Sequence, residues 1–146
     1  MSNDVTTRIP LQVSQNCVVA SIQVDLTEEV LHALRHDLLE MLHATGAGGV
    51  ILDLGGVNVL DPEDFEALRQ TLEMAALMGA HAILAGLRPG VVSALVELDA
   101  RVENVHAALN LDLAFEQMRE VFAVRARTDS TGNNDGRVDE TSPREG

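Results

Sequence analysis

Asp61, Glu63 and Asp64 crowd around Pro62 in the stretch VNVLDPEDFEAL, residues 57–68. Carboxylates this close could act as a general acid and base, or present fixed negative charge to a partner. They could also simply cap a helix. General acid–base work needs a further group within hydrogen-bond reach, and no His or nucleophile lies nearby in the chain. Helix-start chemistry fits each residue. Asp is a good N-cap, worth about 1 kcal/mol, and Pro suits the first helical position because its missing N–H would be unpaired there anyway. Glu63 and Asp64 complement the positive end of the helix dipole. The same three carboxylates make a permanently charged helix start, which a partner could read.

Other candidate residues carry weaker signals. Ser93 follows Arg88-Pro89-Gly90 near a helix start and is a possible secondary phosphosite. Thr71 lies well inside the second helix, where packing or exposure explains it better than modification. His32 and His36 share one helix face, but no Cys or second His pair completes a metal site. Cys17, the single cysteine, reads as a small core residue and permits no internal disulfide. TGAGG (45–49) lacks the spacing and the Lys of a phosphate-binding loop, and the chain has no Lys at all. No cofactor, metal or catalytic residue is expected.

Composition narrows the partners. The net charge is −13, with ten Arg against 23 acidic residues. This disfavours phosphate-backbone and anionic-membrane binding. With no Trp, no Tyr and three Phe, base stacking is nearly excluded. Proteins are the expected partners, not nucleic acid or membrane. The N-terminus lacks a basic-then-apolar signal pattern, and no apolar run approaches the ~18 residues of a membrane span. A cytoplasmic location is the expectation.

The elements that would position the acidic seam follow from hydrophobic period. LQVSQ and CVVASIQV read as a hairpin turning at Gln15-Asn16. A helix follows, with Leu31, Leu34, Leu38, Met41 and Leu42 on one face; Asp25 with Glu28, or Thr27, would cap it. VILDL (50–54) and HAILAG (81–86) are buried parallel strands. Between them, a helix over about 62–79 sets Phe65, Leu68, Leu72, Ala76 and Gly79 on one side. A third helix carries Val92, Leu95, Val96 and Asp99. A short strand near Val102–His106 and a helix from Asp112 to Phe122 close the domain. The expected fold is α/β, a four- to five-stranded mixed, mostly parallel sheet with stacked helices. One domain fills residues 1–124. Residues 125–146, polar and poor in large apolar side chains, are expected to be a disordered tail.

Four stretches in order resemble one family: IPLQVSQNCVVASIQVDL (9–26), TGAGGVILDLGGVNVLD (45–61), MGAHAILAGLRPGV (78–91) and LVELDARVENVHAALNLDLAFEQM (95–118). They resemble the STAS domain, and within it the RsbS type, the small antagonists of bacterial stressosomes. The resemblance implies an anti-sigma factor antagonist and stressosome scaffold in stress signalling. Its partners would be sensor STAS proteins of the RsbR type and a switch kinase of the RsbT type, in a homo- or hetero-oligomer. It also implies a phosphorylated Ser directly after the Asp matching Asp61. That place is taken by Pro62, which has no hydroxyl. Asp61, Pro62, Glu63 and Asp64 thus become the expected partner and phospho-switch position with its acceptor removed. The alternatives are an antagonist that binds one anti-sigma kinase one-to-one, and a nucleotide-binding α/β domain.

Overall fold

The computed structural model describes residues 8–98, 100 and 105–141; of 131–141 only the backbone is described. The order is β1 (Leu11–Ser14), β2 (Cys17–Ser21), α1 (Glu28–Thr45), β3 (Gly49–Asp53), α2 (Pro62–Leu77), β4 (His81–Ala85), α3 (Pro89–Glu97), β5 (Ala107–Ala108) and α4 (Leu111–Thr141). The sheet runs β1-β2-β3-β4-β5, antiparallel between β1 and β2 and parallel thereafter.

The hairpin forms at Gln15-Asn16, as the sequence predicts. Both residues take positive φ, 52° and 64°. A two-residue turn needs this to match the strand twist. Gln15 is unusual there, and Arg119 Nη1 donates to its Oε1 at 2.9 Å. Thr27, not Asp25, caps α1, accepting the Val30 N–H at 3.2 Å. Gly46 ends α1 at φ 68°, a conformation that suits glycine, and its N–H reaches Leu42 O.

Alternation along the strands divides the core into two layers. Val18, Ala20, Val50, Leu52, Ala82 and Leu84 face α1, α2 and α3. Cys17, Val19, Ile51, Ile83 and Ala85 face α4 through Ala114 and Met118. β2 to β4 are buried on both faces, which explains their unbroken apolar runs. Cys17 is a core residue, and burial pushes its thiol up to about 11.

Several boundaries and faces differ from the sequence reading. α2 buries Ala75, while Ala76 and Gly79 are exposed. α3 buries Val91 and Leu95, leaving Val92 and Val96 exposed. A short helix with apolar residues at almost every position does not reveal which stripe faces inward. The last strand lies at Ala107–Ala108, where Leu84 N–H meets His106 O and Gly86 N–H meets Ala108 O. Residues 101–104, most of the expected strand, and Asp99 lie outside the described residues.

Residues 125–141, expected to be disordered, continue α4 as helix. Extending an existing helix needs no new nucleus, and no Pro lies between Pro89 and Pro143. The extension is exposed throughout residues 125–130.

Candidate functional site

The parallel strands deliver the acidic seam to the C-terminal end of the sheet. Such ends, where helices begin, are where open α/β sheets commonly bind ligands. After Asp53, Leu54 N–H still bonds to Ala85 O at 2.8 Å. The chain then leaves the sheet. Val57 and Leu60 are buried and pin the loop; Asn58 and Val59 point out, with Val59 84% exposed.

The local chemistry of Asp61 follows the sequence reading. Its backbone is extended (φ −86°, ψ 166°), and Oδ1 accepts the Asp64 N–H at 2.8 Å. Pro62 opens the helix, and Phe65 anchors its first turn in the core. Asp61 and Glu63 are exposed and Asp64 is half-buried. The Asp64 carboxyl is held above its usual range, first by burial and then by the negative charges of Asp61 and Glu63. Three carboxylates and one apolar side chain, Val59, therefore bracket a helix start that offers no hydroxyl.

Sequence reasoning missed Arg88. Its Nη1 donates to Asn58 Oδ1 at 2.7 Å and its Nη2 to Gly55 O at 3.1 Å. Arg88 occupies the N-cap position of α3, so it ties that helix to the loop before α2. The loops also meet at glycine. Gly86 has φ 81°, and a Cβ there would lie 2.9 Å from Gly55 N. The arginine in the Arg88-Pro89-Gly90 turn was visible in the sequence; its cross-loop partners were not.

The other candidates separate from this seam. Ser93 is exposed in the middle of α3 rather than at its start. Thr71 is buried in α2, donates to Ala67 O at 2.9 Å, and accepts from Arg35 Nε at 3.2 Å. A kinase could reach its hydroxyl only by opening the helix pair. On α1, His36, Asp37 and Glu40 bring ligand atoms within 4.8 Å of one another, without His32. Arg8 already holds the Asp37 carboxylate at 3.2 Å. Among the described residues, no helix is long and apolar enough to cross a membrane.

The model of the STAS domain matches residues 8–114, most of the chain. The protein belongs to the STAS domain family. No curated protein sequence matches it. Among solved structures, it is similar to a Ser-to-Glu form of RsbS from Moorella thermoacetica: TM-score 0.70, 21% identity, covering 80% of this chain and 99% of that one. A chain from a structure of the stressosome, a signal integration and transduction hub, gives TM-score 0.68 at 21% identity, covering 77% and 97%. A candidate anti-sigma factor antagonist of Thermotoga maritima gives 0.62 at 18%, covering 76% and 94%. At these identities the likeness establishes the fold. The five-stranded STAS sheet places the α2 seam at one end and leaves the start of β4 at the other.

Proposed function

We propose that this STAS protein is a non-enzymatic antagonist and scaffold of the RsbS type. In this reading it assembles with sensor STAS domains of the RsbR type and docks a switch kinase of the RsbT type at the start of α2. One observation carries the reading: that helix start is exposed, framed by Asp61, Glu63 and Asp64, and has Pro62 as its first residue. Phosphoryl transfer to a side chain needs a hydroxyl, so residue 62 cannot accept phosphate. Glu63 and Asp64 place fixed charge where a phosphoserine would carry about −1.5 to −2. The seam then behaves as a switch locked near its modified state, and the protein serves as scaffold.

The test is phosphorylation. Pro62→Ser restores an acceptor at a position that tolerates Ser. With the cognate kinase and ATP, intact-mass analysis should find one added phosphate on Pro62→Ser and none at residue 62 of the wild type. Replacing Glu63 with Gln and Asp64 with Asn should prolong kinase retention if charge imitates phosphate. Phosphate on wild-type Ser93 with loss of the kinase would move the switch to α3 and end this reading. Mixing with the sensor STAS protein should yield a particle far heavier than either alone. A compact one-to-one complex with the kinase would instead favour the smaller antagonist role.

A further inference from the structure

At the opposite end of the sheet the charge reverses. A cavity of about 270 Å³ opens between the second half of α2, the first residue of β4, the residues before β5 and the side of α4. Four cationic or protonatable side chains line it: Arg69, His81, His106 and Arg125. Among the described residues, the only carboxylate in its wall is Glu73. Glu73 is taken by Arg69, which also bonds Glu66 at 2.7 Å. Among the described residues, no acidic partner in the wall is therefore left for the histidines or Arg125. In a chain of net charge −13 such a gathering is out of character.

The two histidines lie against each other at the cavity. The His81 and His106 rings stack at 4.6 Å between centroids, tilted by 32°. Arg125 approaches from α4, and its Nη1 donates only to backbone, at 3.3 Å to Gly79 O and 3.4 Å to Gly48 O. Among the described residues, those long contacts leave most of the guanidinium's donors unused. His81 is held below its ordinary value, first by burial, then by His106 and Arg125. Two imidazoliums stacked beside a guanidinium repel one another. A dianion among them would reverse that repulsion and accept charge-assisted hydrogen bonds from all three.

We propose that this cavity is a binding site for a small oxyanion of the sulfate or phosphate class, with His81, His106 and Arg125 as its donors. Arg69 shapes the floor and stays with its two glutamates. Binding is coupled to proton uptake at His81, so affinity rises as pH falls. The site is separate from the acidic seam, lying beyond the other ends of the same strands.

Sulfate is the suitable probe because it remains a dianion across the pH range in which histidines titrate. The intact protein would be titrated with sodium sulfate at constant ionic strength, balanced with chloride, at pH 5.5 and pH 8. NMR would follow the imidazole resonances and the amides of Gly79 and His81. Saturable shifts confined to this cavity, with affinity about ten-fold or more higher at the lower pH, are expected. His81→Gln with His106→Gln should abolish the pH dependence, and Arg125→Gln should weaken binding at both pH values. Circular dichroism would verify that each variant is folded, and the single Gln variants provide a second, milder test. Shifts that follow ionic strength equally in chloride, or that centre on the helix starts of α2 and α3, would overturn the proposal. So would sulfate affinity that is unchanged in folded Arg125→Gln and histidine variants.

Discussion

The two ends of the parallel sheet solve opposite electrostatic problems. At the C-terminal end, carboxylates cluster at the start of α2, and the helix dipole and backbone N–H groups absorb their charge. At the N-terminal end, His81, His106 and Arg125 come together across three separate segments, with no local motif to organise them. One end is permanently charged whatever the solution pH above the carboxylate range. The other holds His81, whose charging is disfavoured by burial and which gains charge only as pH falls. A single small domain can therefore present a constant face and a variable one, joined by β3 and β4.

Glycine gives the sharpest way to break this contrast. Gly86 and Gly79 both hold positive φ, 81° and 92°. At Gly86 a Cβ meets Gly55 backbone at 2.9 and 3.1 Å, whereas at Gly79 nothing lies within 4 Å. Gly79→Ala should therefore cost mainly the strained conformation, about 1 kcal/mol. Gly86→Ala should cost distinctly more, about 3 kcal/mol once the clash is added to the strain. It should also separate the loops that Arg88 joins. Urea denaturation of both variants measures the difference. Equal losses would mean that the C-terminal loops adjust freely, and that the α2 seam is not rigidly placed.

Acid should act on the two ends with opposite sign. Asp64 has its folded pKa raised above 3.8. Its ionised form therefore weakens the fold, fully so above the folded value. That loss is relieved as pH falls through the folded value toward 3.8. His81 has its folded pKa lowered from 6.5. Its contribution is intact above 6.5 and is lost as pH falls through 6.5 toward the folded value. Stability curves against pH for Asp64→Asn and His81→Gln should separate these effects. The first should be slightly more stable than wild type at neutral pH, the gap closing in acid. The second should lose less stability than wild type between neutral pH and the low end of the histidine range. The Asp64 effect is the smaller, because the seam is partly solvated. Parallel curves for wild type and His81→Gln would deny His81 any proton linkage.

What the sequence made legible follows from locality. The turn at Gln15-Asn16, the Asp61 cap and Pro62 at the helix start each depend on neighbours within four residues. The mostly parallel character of the sheet was legible because buried parallel strands need continuous apolar runs. The Arg88–Asn58 bond and the His81–His106 stack were not, since their partners come from different elements and carry no periodic signal. Phe65, Leu68, Leu72 and Leu95 were read correctly as buried, but Ala76 and Gly79 on α2 and Val92 and Val96 on α3 were placed inward wrongly for a related reason. Ala75 and Ala76, or Val91 and Val92, are alike in type and only packing distinguishes them.

The end of α4 offers the smallest effect, and it bears on both the domain boundary and the cationic cavity. Composition put the boundary after Val124, on the argument that the following residues bury nothing. Residues 125–130 are indeed exposed, yet Arg125 reaches back to Gly48 O and Gly79 O. An exposed residue can thus link α4 to the starts of β3 and β4. Truncation after Thr128 retains that link and should change stability by no more than about 0.5 kcal/mol. Truncation after Val124 removes it and should cost about 1 kcal/mol. It should also let the His81 pKa move back toward 6.5, because one of the charges that holds it down is gone. Thermal melts of the two truncations, with NMR titration of His81, distinguish the cases. If they match in stability and in His81 behaviour, Arg125 plays no part in the cavity and the boundary read from composition is the right one. If truncation after Thr128 already causes a large loss, the distal helix docks on the domain, and the exposed part of α4 cannot be treated as a passive extension.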